Sequence, residues 1–380
     1  MKLRHPIFAA SVAAALAGCG GGDADTTTLA EVHSADGRAR ALAVTHSPAS
    51  GVLRFDFGPQ NNDAKIIVGP APGTVTVEGV SGVPSGTTYT GVRAIEWRSG
   101  AGTDRLVFEV TQSADFDLAV DTGAGDAEID VKWVVPVGAA SRITPSVFLA
   151  TGPGMKKVQV QLESFGRDVA FDLATAFGAG DTEFKGELQY KQGSVVAGGR
   201  MALDFGAGLN KVNLLVDSEA QQLNLDLAPR FMGELNTTIL SDDPSSSARV
   251  RFAPVGVAGG SKIGFEMLTA APSVTLDHDV TGGAGMDEVK LGLTSLAAGT
   301  VTSTARASLG QSMDKLELAY KGPPTTRFNL SGAIGLGGGD DEALLLREGI
   351  STTAPALDCG DGVDKAIGWP AASTLACELF

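Results

Sequence analysis

A short unit recurs along this chain about every 27 residues: a glycine-rich turn, followed by a strand-like alternation of apolar and polar residues. Clear copies are GAGTDRLVFEV from Gly100, GAGDAEIDV from Gly123, GAGLNKVNLLV from Gly206, GAGMDEVKLGL from Gly283 and GGGDDEALLLR from Gly337. Repetition at such a period indicates one supersecondary unit stacked many times. The chain is therefore expected to form a repeat architecture whose core runs continuously from unit to unit.

Each unit contains two strands. After the glycine turn, apolar residues alternate with polar ones, as in Leu106 and Phe108, and a period of two is typical of a strand with one buried face. A second strand precedes each turn, visible in FDLAV from Phe116, MALDF from Met201 and VTLDH from Val274. With 50 glycines and regular turn signals, the chain is predicted to be all-β.

One column of the aligned units distinguishes stacked coils from hairpins. Immediately before the first buried residue of the units stand Arg105, Glu128, Lys157, Glu183, Lys211, Thr238, Lys262, Glu288, Lys315 and Glu342. Adjacent charged members always have opposite sign. Equivalent positions of a parallel solenoid lie about 4.8 Å apart, so alternation is favoured there, whereas an intervening antiparallel strand doubles the distance. We predict a β-solenoid (parallel β-helix) of about ten 27-residue two-strand repeats, with an antiparallel β-meander barrel or sandwich as the alternative.

The N-terminus has the layout of a secretion signal: basic Lys2 and Arg4, an apolar stretch, and the sequence LAGC from Leu16 to Cys19. This sequence resembles the lipobox of bacterial lipoproteins. The resemblance implies cleavage before Cys19 and attachment of acyl chains such as palmitate to its sulfur. Because Gly20, rather than aspartate, follows Cys19, it also implies an outer-membrane location, facing the periplasm or the cell surface.

Four segments are predicted. Residues 1–18 are a signal peptide, residues 19–50 a lipidated flexible tether, residues 51–350 the repetitive β domain and residues 351–380 a C-terminal cap. Once Cys19 is lipidated, two cysteines remain, and in an oxidising compartment Cys359 and Cys377 are expected to form a disulfide.

The charge limits the partners. The formal charge of −15 becomes −17 when residues 1–18, with Lys2 and Arg4, are removed. Such an acidic body repels nucleic acid. We expect it to contact a membrane through its lipid, and a protein or polysaccharide at the cell surface.

The segment GGAGMDEVK, Gly282 to Lys290, resembles the calcium-binding nonapeptide of repeats-in-toxin proteins, in which carboxylates from tandem turns enclose calcium. Here only one such turn occurs per unit, and Ala127 and Lys156 replace the aspartate. We therefore expect glycines at tight corners and aspartates that cap turns or face water, with no cofactor. The remaining calcium candidates are Asp287, Asp340 and Asp341.

The stretch DTGAGDAEIDV, Asp121 to Val131, also resembles the repeats of bacterial adhesin-type β-helix proteins. This resemblance implies a right-handed β-helix, a location outside the cytoplasm and no catalytic residues.

Recognisable catalytic motifs are missing from the sequence. His278 lies in a strand-like alternation and is expected to be structural. The outward aspartates Asp117, Asp172, Asp204 and Asp226 could form a column, although solvation of an exposed face is their expected role. We predict a non-catalytic structural or adhesive surface lipoprotein; the alternatives are a periplasmic binding or assembly module and a polysaccharide-active β-helix enzyme.

Overall fold

A computed structural model of the chain describes residues 32–33, 39–40, 43–80, 82–112, 114–137, 142–165, 168–191 and 193–379. The predicted signal peptide and Cys19 lie outside the described residues. The protein is a β-solenoid of about ten turns, with about 27 residues in each turn.

Two stacks of parallel strands form the solenoid. Stack 1, which carries the alternating charges, consists of β5 (Asn62–Val68), β9 (Asp104–Thr111), β11 (Ala127–Val135), β13 (Lys156–Ser164), β15 (Thr182–Tyr190), β17 (Asn210–Ser218), β22 (Glu288–Ser295), β24 (Lys315–Lys321), β26 (Glu342–Glu348), β28 (Lys365–Ile367) and β30 (Glu378–Leu379). Stack 2 consists of β4 (Val52–Asp56), β8 (Ala94–Arg98), β10 (Asp117–Asp121), β12 (Ser146–Thr151), β14 (Val169–Phe177), β16 (Val196–Asp204), β19 (Ser247–Phe252), β21 (Ser273–Thr281), β23 (Thr300–Gly310), β25 (Arg327–Gly337), β27 (Ala356–Asp358) and β29 (Thr374–Leu375).

Two long strands continue around a corner of the solenoid. The first part of β18 (Gln222–Ser241) pairs with β16 and β19 in stack 2, and its second part pairs in stack 1 with β17 and β20 (Val255–Thr269). The remaining strands lie near the N-terminus and pair antiparallel to a neighbour: β1 (Val32–His33), β2 (Ala39–Arg40), β3 (Ala43–Ser47), β6 (Val75–Glu78) and β7 (Thr87–Tyr89).

Neighbouring coils pair in register. Residues of β11 pair with residues of β13 in parallel along the whole strand, which places Glu128 opposite Lys157. Lys157 pairs in turn with Glu183 on β15. No other strand separates these residues, so the solenoid prediction is confirmed and the antiparallel barrel or sandwich is wrong.

The alternating column, which we name the charge ladder, is longer than predicted. Its successive members are Asp63, Arg105, Glu128, Lys157, Glu183, Lys211, Glu234, Lys262, Glu288, Lys315, Glu342, Lys365 and Glu378. The sign changes at every step. Lys157 Nζ lies 3.7 Å from Glu128 Oε1, and both side chains are well exposed, so each such pair contributes about 0–1 kcal/mol.

One member of the predicted column was wrong. The structure places Glu234, not Thr238, between Lys211 and Lys262. The reason is that this unit lacks the usual glycine pair: Gly233 alone makes the corner, and the register shifts between Phe231 and Gly233. Strand alternation therefore starts four residues earlier than the alignment assumed.

The core lies between the two stacks. Alternate residues of each strand point inward, and equivalent positions stack on one another. One such inner column of stack 1 contains Leu106, Ile129, Val158, Phe184, Val212, Leu235, Ile263, Val289, Leu316, Ala343 and Ala366, all of them buried. Aliphatic and aromatic side chains from both stacks thus form one continuous core, which agrees with the repeat pattern.

Glycine is required at the corners for two reasons. Gly125 has a φ of +123°, a backbone conformation that other residues adopt only with strain. A Cβ on Gly125 would also overlap the carbonyl oxygen of Gly102 in the preceding coil, and a Cβ on Gly154 would overlap that of Gly125. The corners therefore stack backbone against backbone, as the corner interpretation of the glycine turns predicts.

Both ends of the solenoid are modified. At the N-terminal end, β3 pairs antiparallel with β4, and the β5, β6 and β7 strands form an antiparallel meander. At the C-terminal end the strands shorten to two or three residues, and a disulfide joins Cys359 to Cys377. Short edge strands offer little template for pairing with another chain.

Reversal of one charge in the ladder tests the stacking. Glu128→Lys places a lysine between Arg105 and Lys157, so we expect a loss of about 1 kcal/mol in the free energy of unfolding, because two attractions become repulsions. High salt should reduce this loss. Chemical denaturation at low and high ionic strength measures both effects.

Glu163→Lys is the matched control. Glu163 lies on the outward face of β13, and its partners on the adjacent strands are the uncharged Val134 and Gln189. Equal losses of stability in the two variants would contradict a contribution of the ladder.

Candidate functional site

The outward face of stack 1 contains a shallow groove of about 320 Å³ near its C-terminal half. We name it the Gly292 groove. Its floor includes the small residues Gly264, Gly292 and Ala319, and charged side chains such as Lys290 and Lys321 stand beside them. It is a candidate surface for a partner.

In-register stacking produces this groove. Successive coils place Leu215, Thr238, Glu266, Gly292 and Ala319 at one outward position. The side chain shrinks from Glu266 to Gly292, so the surface steps inward where two coils lack a long side chain. Residue size at a single strand position thus determines the shape of the face.

Both signs of charge border the groove. Lys290 Nζ lies 2.7 Å from Glu288 Oε1, and this hydrogen bond raises the pKa of Lys290 and lowers that of Glu288. Glu266 and Glu317 add carboxylates, and Lys321 adds a second ammonium group. A surface of mixed sign favours a partner that is recognised by hydrogen bonds over one that is attracted by net charge.

The exposed aspartates of the glycine corners connect neighbouring coils. Asp126 Oδ1 accepts a hydrogen bond of 2.9 Å from the backbone N–H of Met155, and Asp340 Oδ1 accepts one of 3.0 Å from that of Val363. These carboxylates cap the turns, as the sequence predicts.

Two of the calcium candidates lie elsewhere than predicted. Asp287 and Asp341 are buried, so neither faces water, but Asp287 Oδ2 accepts a hydrogen bond of 2.9 Å from the backbone N–H of Gly283 and thus caps its own turn, the other expected role. Each directly precedes an outward member of the charge ladder, and strand alternation therefore turns its side chain inward. Asp340, the third candidate, is exposed at the corner. Among the described residues, no group of three or more histidine, cysteine, aspartate or glutamate side chains could hold a metal ion.

The outward aspartates of stack 2 do not lie side by side. Asp117, Asp172 and Asp226 share one strand position, but Ser146 and Arg200 separate them. Asp204 lies four positions further along its strand and forms an ion pair of 3.3 Å with Arg230. Alternation with arginine thus recurs on this stack for Asp172, Asp204 and Asp226, whereas the neighbours of Asp117 at this position are Ala94 and Ser146.

His278 belongs to the core. It is 1% exposed, and its ring packs edge-on against Phe265 with a centroid distance of 4.9 Å. Burial lowers the pKa of His278 to about 3, so the ring is neutral at physiological pH. A neutral histidine enclosed by apolar side chains is structural, in agreement with the prediction.

Aromatic side chains contribute to the core more than to the surface. Trp97, Trp133 and Trp369 are buried, and so are Tyr190 and Tyr320. The hydroxyl of Tyr190 donates a hydrogen bond of 2.9 Å to the carbonyl oxygen of Gly198. These five rings are therefore not placed to stack against a sugar.

We found no match to the chain among protein-family models, curated proteins or solved structures. In the part of the chain that the structure describes, no helix has the length and apolar character needed to cross a membrane.

The neutral core histidine predicts a specific loss of stability in acid. In the unfolded chain His278 has a pKa near 6.5, and in the folded protein a pKa of about 3. The unfolded state thus binds more protons in this window, and stability falls as the pH decreases from about 6.5 towards 3. His278→Leu should retain about 3 kcal/mol more of its neutral-pH stability at pH 4 than the wild type does.

His46, a partly buried histidine on the edge strand β3, provides the control. Denaturant titrations at pH 7 and pH 4 compare His46→Leu, His278→Leu and the wild type. If the wild type and His278→Leu lost stability in parallel, His278 would not be the group that titrates.

Proposed function

We propose that this protein is a lipid-anchored, non-catalytic surface element of the bacterial outer membrane, where its solenoid acts as a structural or adhesive rod. The observation that carries the proposal is the unbroken in-register stack, which presents long polar faces at a regular spacing. Repeat proteins commonly use such extended faces for binding.

The anchor is inferred from the LAGC sequence that ends at Cys19. Each buried methylene of an acyl chain contributes roughly 0.8 kcal/mol, so several chains on one residue hold a protein at a membrane stably. A body with a formal charge of −17 after signal removal gains no attraction to an anionic lipid surface. Attachment would therefore depend on the lipid.

The adhesive surface is assigned to the Gly292 groove and the flat face around it. The groove offers hydrogen-bonding groups of both signs, and the neighbouring strands hold it rigidly. A preformed surface of this kind binds without paying the entropic cost of ordering a loop. The partner class we propose is a protein or polysaccharide of the cell surface.

Loss of the proposed lipid site should release the protein. Cys19→Ala is expected to move the protein from the detergent-rich phase to the aqueous phase in detergent partition, and to abolish incorporation of labelled palmitate. The double variant Cys359→Ala, Cys377→Ala removes the other two cysteines and should remain in the detergent phase. Wild-type partitioning of Cys19→Ala would contradict the anchor.

Filling the groove tests the adhesive face separately. Gly292 has an ordinary strand conformation, and a Cβ there would meet only the Phe265 carbonyl oxygen at 3.6 Å. Gly292→Gln, which adds a long side chain without placing a second carboxylate beside Glu266, should therefore fold and fill the groove, and we expect it to reduce cell-to-cell or cell-to-surface adhesion by about tenfold. Gly335→Gln, the same change at an open position of stack 2, should adhere normally.

Equal adhesion of both variants and the wild type would exclude the groove as the binding surface. Unchanged adhesion of cells that lack the protein altogether would contradict the adhesive function itself.

A further inference from the structure

Four buried aspartates lie one above another in the last coils of the solenoid. Asp287, Asp314, Asp341 and Asp364 occupy the same strand position in successive coils, and each is at most 2% exposed. We name this column the aspartate ladder. Its spacing is that of adjacent strands, about 4.8 Å.

One oxygen of each carboxyl group connects two coils. Asp314 Oδ1 accepts a hydrogen bond of 2.7 Å from the backbone N–H of Asp287, and Asp341 Oδ1 accepts one of 2.7 Å from that of Asp314. Asp364 Oδ1 accepts one of 2.8 Å from the N–H of Asp341. The aspartate ladder therefore forms part of the contact between coils.

The second oxygen is unsatisfied in three of the four. Oδ2 of Asp314, of Asp341 and of Asp364 is buried without a hydrogen-bond partner, whereas Asp287 Oδ2 accepts the N–H of Gly283 at 2.9 Å. A buried carboxylate oxygen without a donor is strongly disfavoured when it is charged. Three such groups in one column amplify this cost, because neighbouring charges also repel each other.

The charged groups around the aspartate ladder do not neutralise it. Exposed Asp340 and the C-terminal Glu378, whose Oε2 accepts the N–H of Asp364, add negative charge. The neighbouring charge-ladder residues are outward-facing and already alternate in sign: Lys262, Glu288, Lys315, Glu342 and Lys365.

Towards the other end of the solenoid, the charged side chains at this column position have hydrogen-bond partners. Asp104 receives a hydrogen bond of 2.6 Å from Asn62 Nδ2 on one oxygen and of 2.7 Å from the Ser99 hydroxyl on the other. Further along, Lys156 at this position donates from Nζ to the carbonyl oxygens of Gly178 and Ala179. In the middle coils, Thr182 Oγ1 and Asn210 Oδ1 are also buried in this column without a hydrogen-bond partner, but both belong to neutral side chains. The unsatisfied carboxylate oxygens of the column therefore lie in the C-terminal coils.

Protonation would remove the charge of these buried oxygens, and the surrounding groups fit a proton better than a metal ion. One oxygen of each group already accepts a backbone N–H, and no described group of side chains is arranged to hold a metal. A protonated Oδ2 carries no charge, so its burial costs much less than that of a carboxylate oxygen.

We propose that the aspartate ladder is a proton-binding device, which keeps the C-terminal coils tightly stacked when it is protonated and loosens them when it ionises. The direction of titration agrees with this. Burial raises the pKa of Asp314, the negative charges of Asp287 and Asp341 raise it as well, and the resulting pKa is about 6. Burial also raises the pKa values of Asp287 and Asp341.

The sign of the pH dependence follows from these shifts. The folded state binds more protons than the unfolded state between about pH 4 and pH 6. The stability supplied by the aspartate ladder is therefore complete below pH 4 and is lost as the pH rises through about 6. This dependence is opposite to that of His278, so a local measurement is needed to separate the two.

Amide hydrogen exchange provides the local measurement. The N–H groups of Asp287 and Asp314 donate to the ladder, and their exchange, corrected for intrinsic base catalysis, should accelerate on the order of tenfold between pH 5 and pH 7.5. The N–H of Asp104, beside the satisfied carboxyl group, should change little. Equal behaviour of the three amides would overturn the proposal.

Asp314→Asn provides the second test. The asparagine keeps the Oδ1 acceptor and cannot ionise, so its melting temperature relative to that of the wild type should be higher at pH 7.5 than near pH 4. Asp126→Asn makes the same change at an exposed corner outside the aspartate ladder, where Oδ1 also accepts a backbone N–H, and its difference from the wild type should change less between the two pH values. A difference in melting temperature between Asp314→Asn and the wild type that is the same at both pH values would contradict the proposal.

Calcium is added at millimolar concentration in a parallel experiment at pH 7.5. Protonation predicts no change in the melting temperature of the wild type. A rise caused by calcium that Asp314→Asn abolishes would overturn the proposal in favour of a metal site.

Discussion

In-register parallel stacking is the constraint on which the rest of this structure depends. Every residue lies about 4.8 Å from the equivalent residues in the coils on either side. A residue type that recurs at one position of the repeat must therefore pack stably against copies of itself. Apolar residues satisfy this condition in the inner columns, and glycine satisfies it at corners where the backbones touch. Charged residues satisfy it only by alternating in sign, and the charge ladder does so from Asp63 to Glu378.

The same constraint explains where the solenoid departs from its own rule. Aspartates repeat at one inward position in the last coils, with Asp314 and Asp341 directly adjacent, and no change of sign relieves them. Burial of these aspartates is costly when they are deprotonated, whereas burial of His278 is costly when it is protonated. The two groups act in opposite directions over the same pH range. The overall stability is therefore expected to depend on pH less than the stability of either region does.

Much of the fold could be predicted from the sequence because its period is visible there. The two strands of each unit, the corner glycines and the sign alternation all follow from local pattern, and the Cys359–Cys377 disulfide was expected from the cysteine count together with the proposed compartment. The pattern was misleading where a unit was degraded: the alignment was anchored on a glycine pair that the unit around Gly233 lacks, so Thr238 was chosen over Glu234. Alternation of sign alone would have identified Glu234.

The inward aspartates and the groove were harder to predict, since each depends on register. Asp287 follows a run of glycines and was therefore interpreted as a turn residue. It directly precedes Glu288, the first residue of β22, and its side chain points into the core. The Gly292 groove could be predicted only with the knowledge that Gly292 and Ala319, which are 27 residues apart in the sequence, are neighbours in the structure.

Distances between spin labels at Glu128→Cys and each of Glu234→Cys, Glu288→Cys and Glu342→Cys test this register most directly. The account predicts a linear increase of about 4.8 Å per coil along this series, whereas distances that grow by about twice that amount per repeat, or that shorten again, would contradict the solenoid.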